Sequence, residues 1–176
     1  LRTDLKVLDQ QNRIIRIHGG AKSLDQVTKN DDFLKQRYIR NTEEKKIIAQ
    51  KALDLVKPGH TIFIDSGSTT TMLSHILKDQ PNTFVTSGLT CAIEMAKLKS
   101  AKVSLTGGNL NNRSLSVNGF EGLRLIERVN FDEAFIGVTN FSYKTGFTCE
   151  SESDAELKKA AIQKANKVII LMDSSK

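Results

Sequence analysis

The sequence predicts a doubly wound α/β domain: a mostly parallel sheet with helices on both faces. From residue 61 onward, short β-rich runs alternate with helical stretches. The runs are apolar nearly throughout rather than at every second residue, the pattern of strands buried on both faces. Helices between consecutive strands make each connection a crossover, and right-handed crossovers wind such a sheet from its centre.

The elements follow in order. Leu1, Leu5 and Leu8 recur at i, i+4 and i+7, the end of an amphipathic helix over residues 1–11. Ile14-Ile15-Arg16-Ile17 is a short strand, stopped by Gly19-Gly20, and residues 22–32 are polar without an apolar period. We therefore expect one unit over 1–21, a linker over 22–40 and the main domain over 41–176. Asn41 and Glu44 have capping-box spacing, and Ile47, Ile48, Ala52, Leu55 and Val56 supply the stripe of a helix ended by Pro58-Gly59. Strands are expected at 61–64, 83–86, 103–106, 134–138 and 168–172. Helices are expected at about 69–78, 89–99, 119–129 and 153–166.

Composition narrows the function classes. With 39% hydrophobic and 26% charged residues in 176, the chain is an ordinary globular protein. No run approaches the ~20 apolar residues of a membrane span, so no membrane partner is expected. Cys91 and Cys149 make no disulfide framework and no zinc spacing, which points to a reducing cytoplasm and to no metal or cofactor. The chain begins at Leu1 rather than Met, as a piece of a longer protein does. The net charge is +6, and +5 of it lies in residues 1–60, with Arg2, Lys6, Arg13, Arg16 and Lys22 set among apolar residues. Such a cluster serves a polyanion or is a solvated helix face.

The chemistry gathers at strand ends, where ligands bind in open α/β sheets. Asp65-Ser66-Gly67-Ser68-Thr69-Thr70-Thr71 runs from the first strand into a helix. A tight glycine turn, hydroxyls and a helix N-terminus together cradle a phosphate without a lysine-bearing loop; the same residues also serve as a plain helix cap. Thr86-Ser87-Gly88 and Thr106-Gly107-Gly108-Asn109 end the next two strands. Arg113 either closes over a phosphate or lies in solvent. Lys158 either reaches a ligand or pairs with Asp154 one turn away. Asp173 is a candidate to bond a sugar hydroxyl, and Lys176 either meets an anion or reaches solvent. His18, His60 and His75 have no ligand or triad spacing; His60 reads as a surface residue and His75 as a packing residue with a wet tip. Asp65 has no evident acid or base partner.

The stretches Leu1-Arg2-Thr3-Asp4-Leu5 and Arg16-Ile17-His18-Gly19-Gly20-Ala21 resemble the recognition-helix end and wing of the DeoR family of bacterial transcriptional regulators. The remainder resembles that family's sensor domain at Asp65–Thr70, Thr86-Ser87, Gly107-Gly108, Phe135-Ile136-Gly137, Gly146, Lys158-Lys159 and Asp173-Ser174-Ser175-Lys176. The resemblance implies a winged helix-turn-helix on operator DNA, a repressor of a sugar-catabolism operon, and a Rossmann-like sensor related in fold to ribose-5-phosphate isomerase. Together with the strand-end reading, which adds Arg113, it places a phosphorylated sugar at Asp65, Ser66, Gly67, Ser68, Thr69, Thr70, Thr86, Ser87, Gly107, Gly108, Gly137, Lys158, Asp173 and Lys176. Arg2, Lys6, Arg13, Arg16 and His18 would touch DNA, and a homo-oligomer on a symmetric site is expected. Thr3 stands where the family has a second arginine, and Ser87-Gly88 where it commonly has Asn-Ser. With the front of the DNA-binding unit missing, this chain is expected to bind operator poorly. The alternative is a sugar-phosphate isomerase or deaminase of the same fold, with Asp65 or Asp173 as base.

Overall fold

The computed structural model describes residues 14–17, 20–23 and 37–176. The chain divides into two compact units, Leu1–Arg40 and Asn41–Lys176. In the first, β1 (Ile14–Ile17) and β2 (Gly20–Ser23) form an antiparallel ribbon with Arg16 opposite Ala21 and Ile17 opposite Gly20. Gly20 thus opens a return strand, and Lys22 and Ser23, expected in a linker, pair with Ile15 and Ile14.

The second unit runs α1 (Thr42–Leu53), β3 (Thr61–Ile64), α2 (Ser68–Ile76), β4 (Thr83–Thr86), α3 (Leu89–Met95), β5 (Lys102–Leu105), β6 (Asn109–Asn111), β7 (Ser116–Asn118), α4 (Phe120–Glu127), β8 (Phe131–Gly137), β9 (Asn140–Ser142), β10 (Gly146–Thr148), α5 (Glu152–Gln163) and β11 (Ala165–Leu171). Five strands form one parallel sheet in the order β11-β8-β3-β4-β5. The chain starts at the central β3, moves outward through β4 and β5, then returns to lay β8 on the other side of β3. The strand order therefore reverses between β3 and β8.

Alternation along β3 decides the layers. Ile62 and Ile64 face a core with Ala49, Ala52, Leu73, Phe84, Met95 and Phe135, supplied largely by α1, α2 and α3. Phe63 faces the opposite core with Val85, Ile126, Phe131, Ile136, Leu157 and Ala161, closed by α4 and α5. Both faces are covered, which is why the strands carry apolar residues at successive positions.

Four details differ from the sequence reading. Asn41 does not cap α1 through its side chain; it sits in the left-handed region, φ 52° and ψ 44°, and its amide reaches elsewhere. The helix ends at Leu53, with Leu55 and Val56 packing from the following turn. Its inward face is Lys45, Ile48, Ala49 and Ala52, so Ile48 and Ala52 lie in the buried stripe as expected, while Ile47 is 58% exposed. The ribbons β6–β7 and β9–β10 are absent from the expected elements, because three-residue strands carry too little pattern to recognise.

Candidate functional site

Parallel strands all point their carboxyl ends the same way, so the loops that follow them collect on one edge. At the β3/β8 reversal, Asp65 follows the last residue of β3, and its N–H donates to the Phe135 carbonyl at 3.0 Å. Its carboxylate turns across to β8, where Gly137 N–H donates to Oδ2 at 2.9 Å. A Cβ at Gly137 would stand 3.3 Å from that oxygen, so the contact depends on a residue without one. Lys158 comes from α5 and completes the group, with Nζ 2.8 Å from Asp65 Oδ2 and 2.7 Å from the Gly137 carbonyl, to which it donates. The lysine side chain is 14% exposed and the aspartate 2%. Burial pushes the Asp65 carboxyl above the ordinary carboxylate range, opposed by the Lys158 ammonium and the Gly137 N–H. The i,i+4 pairing of Lys158 with Asp154 does not form. Asp154 accepts instead from Ser116 Oγ at 3.0 Å, Asn118 Nδ2 at 2.6 Å and Ser151 Oγ at 2.8 Å.

Beside this ion pair begins α2. Gly67 precedes it with φ 145°, in the region that favours glycine, and offers no side-chain cap. The Thr70 and Thr71 hydroxyls both turn back to donate to the Gly67 carbonyl, at 3.0 and 2.8 Å. The first intrahelical bond runs from Thr71 N–H to that same carbonyl. The N–H groups of Ser68, Thr69 and Thr70 thus precede the helical ladder, at the positive end of the helix dipole. Cys91 lies behind this turn, its Sγ 3.5 Å from the Asp65 carbonyl; burial pushes its thiol up, which makes it a packing group.

Neighbouring strand ends close around the turn. Gly88 lets β4's loop approach β3's, since a Cβ there would sit 3.0 Å from Ser66 Cα. Ser87 and Thr86 are buried; Gly88 N–H donates to Thr86 Oγ1 at 3.0 Å, and Val117 N–H to the Ser87 carbonyl at 2.7 Å. Thr106 Oγ1 donates to the Val117 carbonyl at 2.7 Å. Gly108, at φ 122°, is pressed so closely on the Asn118 carbonyl that a side chain has no room. The space a Cβ would take at Gly107 faces Glu121 Cβ, 3.0 Å away. These two glycines seat the β5–β6 turn on the start of α4, a packing duty.

On the far side, Asp173 Oδ1 accepts from Ser175 N–H at 3.0 Å, from Ser175 Oγ and from Asn41 Nδ2 at 3.1 Å. Burial works against its charge, yet Ser175, Asn41 and Lys176 outweigh that and hold the carboxyl below the ordinary range. Lys176 Nζ donates to the Val138 carbonyl at 2.8 Å, one residue from Gly137. Arg113, in the turn between β6 and β7, is 53% exposed and lies 3.7 Å from Glu150, the residue two before α5.

The family model described as the DeoR C-terminal sensor domain matches residues 40–176. The HTH-type transcriptional regulator GolR of Listeria innocua is 36% identical over the whole chain, which covers 69% of that protein. The glycerol-3-phosphate regulon repressor of Escherichia coli is 30% identical, again over the whole chain and 69% of the relative. The chain belongs to the DeoR family of HTH-type transcriptional regulators. Among solved structures, ribose-5-phosphate isomerase A from Methanocaldococcus jannaschii aligns with a TM-score of 0.56 and 18% identity, over 77% of this chain and 54% of that one; this likeness concerns the fold.

Within this DeoR-family sensor the carboxyl edge brings together Asp65, Gly137 and Lys158 directly, with Ser66–Thr70 and Lys176 beside them. Arg113 instead stands with Glu150. Of the residues expected to touch DNA, Arg2, Lys6, Arg13 and His18 lie outside the described residues, as does the side chain of Arg16. Sequence reasoning missed Asn41 as a member of the Asp173 loop, since an Asn before Glu at capping distance reads as a cap. It also missed the Ser116–Asn118–Asp154 network, which only the fold assembles. His60 is not a plain surface residue: its Nδ1 lies 2.9 Å from buried Glu133. His75 is mostly exposed and meets Glu94 at 2.8 Å.

Proposed function

We propose that this chain is the sensor, with the end of the DNA-binding unit, of a repressor that responds to a phosphorylated sugar. The phosphate takes the first turn of α2, receiving N–H groups of Ser68–Thr70 and the hydroxyls of Ser66 and Ser68. Sugar hydroxyls extend toward Ser87, the Gly137–Thr139 segment and the Asp173–Lys176 loop. The observation that carries this reading is the α2 start: a helix N-terminus opened by a glycine with no capping side chain, at the point where strand order reverses. The name of the Escherichia coli relative, a glycerol-3-phosphate regulon repressor, supports a phosphorylated effector.

The ribbon β1–β2 acts as the wing on operator DNA, with Arg13, Arg16 and His18 on the backbone or minor groove and Arg2 and Lys6 on the preceding helix. The protein works in the cytoplasm as a homo-oligomer. Effector binding shifts the balance between operator-bound and released states by favouring one of them.

Turnover is not part of this reading. Asp65, one candidate base, is held by Lys158 and Gly137, and Asp173, the other, by Ser175 and Asn41. The bonds on Asp173 hold its carboxyl below the ordinary range and make it a weak base, while both donors to Asp65 converge on its Oδ2. A thermal-shift screen of paired free and phosphorylated pentoses, hexoses and trioses tests the proposal. A ligand at 100 times its dissociation constant adds about 2.7 kcal/mol, a clear rise in melting temperature. Stabilisation by a phosphorylated sugar and not by its free form is the expected outcome. Equal effects of both forms, or chemical conversion of the added sugar, would overturn it.

A further inference from the structure

Asn41 is the first residue of the second unit, so the chain from residues 1–40 enters the sensor through it. Three features set it apart. Its backbone is left-handed, at φ 52° and ψ 44°, a conformation that Asn tolerates through local hydrogen bonding and most residues avoid. Its carbonyl accepts from Lys45 N–H at 3.1 Å and so begins the ladder of α1. Its side-chain amide donates away from the helix, to Asp173 Oδ1 at 3.1 Å and Ser175 Oγ at 2.8 Å, more than 130 residues along the chain.

Those two acceptors belong to the loop that leads into the candidate site. Lys176, next in the chain, donates to the Val138 carbonyl, and the adjacent Gly137 holds both Asp65 and Lys158. Polar contacts joined by neighbouring peptide links thus connect the entry of α1 to the ion pair at the strand reversal. We propose that Asn41 is the coupling residue of this regulator: a positioning residue that sets the direction of the chain entering α1 according to the state of the Asp173–Lys176 loop. The proposal rests on the sugar-phosphate reading and adds its relay. A ligand whose hydroxyl or phosphate recruits Asp173 or Lys176 takes partners from this loop, and Asn41 then loses the contacts that hold its left-handed backbone. Two arrangements result, clasp closed and clasp open, and the ligand biases one of them.

The test uses the full-length protein, its operator, and ribose 5-phosphate, glucosamine 6-phosphate and glycerol 3-phosphate as probes. Asn41→Gly keeps the left-handed backbone accessible and removes both side-chain bonds. Asn41→Asp keeps a residue that tolerates the left-handed backbone, turns the amide donor into an acceptor facing Asp173, and carries the test if the glycine variant does not fold. For the wild type, an active probe should change operator affinity by about fivefold or more. In each variant the probe is expected to bind within about threefold of wild type, while its effect on operator affinity shrinks to about twofold or less. Coupling retained at the wild-type factor in the folded variants overturns the proposal, and so does loss of probe binding equal to the loss of coupling. If no probe changes operator binding by the wild type, the sugar-phosphate reading is what fails. The clasp is then judged on effector-free operator affinity, which Asn41→Gly should move by about fivefold; constancy there overturns it.

Discussion

The two ends of strands β3 and β8 each bury an acid beside a base, yet they are built for different work. At the amino end Glu133 is 6% exposed and faces His60, whose ring is 31% exposed. At the carboxyl end Asp65 is 2% exposed and faces Lys158, at 14%. An acid and a base in contact therefore do not by themselves mark a site. What differs is the surroundings. At the amino end Asp132 Oδ2 accepts from Thr61 N–H at 2.9 Å and Asn82 donates to the Lys57 carbonyl, so side chains tie off the loops. At the carboxyl end α2 begins without a side-chain cap, and the N–H groups of its first turn precede the helical ladder. In a parallel sheet, helix N-termini collect at this edge and C-termini at the other, so anion chemistry is confined to one end by topology.

Removing one partner at each end should separate them most. Lys158→Met strands the Asp65 carboxylate in a dry site, and a loss of about 3 to 5 kcal/mol in chemical denaturation is expected. The loss should shrink on acidification. With its native pKa above its unfolded one, Asp65 costs stability fully above the native value, and that cost disappears as pH falls through it toward the unfolded value. A variant whose deficit is the same at pH 4 and pH 7 would contradict the buried-charge account. Gly108→Ala forces a side chain against the Asn118 carbonyl at φ 122°, and about 2 kcal/mol should be lost. Gly59→Ala at the amino end, at φ 80° with nothing within 4 Å, should lose about 1 kcal/mol from conformation alone. Equal melting temperatures for the two alanine variants would remove close approach as the reason for Gly108.

Smaller effects refine the contrast. Glu133→Gln leaves His60 partly in water, so about 1 kcal/mol is expected, with phosphate-ligand affinity unchanged; a loss matching that of Lys158→Met would make the ends equivalent. Asp173, held below the ordinary carboxylate range, contributes stability that is present above its unfolded pKa and lost as pH falls through its native value. Asp173→Asn should therefore flatten the acid limb of the wild-type stability profile slightly, and an unchanged limb would show that the clasp carries no charge.

Much of this was legible in the text. Apolar runs at Ile62–Ile64, Phe84–Val85 and Ala134–Ile136 disclosed the sheet because both faces are buried, and the Asp65–Thr71 stretch disclosed the turn because glycine and hydroxyls have local causes. Lys158 was legible as a candidate, but its partner was not. Helical spacing compares it only with Asp154, whereas its actual partner stands in the loop after β3, 93 positions earlier. Asn41 misled for the same reason: a capping box is local arithmetic, and the Asp173 loop reaches it from the opposite end of the chain. Ile47 misled because two adjacent isoleucines both fit a helical period, and the fold packs Ile48 inward with Lys45, Ala49 and Ala52 while Ile47 is exposed.

The most direct measurement of the central claim is a backbone amide titration by NMR with ribose 5-phosphate, glucosamine 6-phosphate and glycerol 3-phosphate, each against its unphosphorylated form. The account predicts that a phosphorylated ligand moves the amides of Ser68, Thr69, Thr70 and Gly137 first and most, and leaves Gly59, Thr61 and Asn82 in place. Shifts centred on the amino end, or identical shifts from the unphosphorylated form, would contradict it.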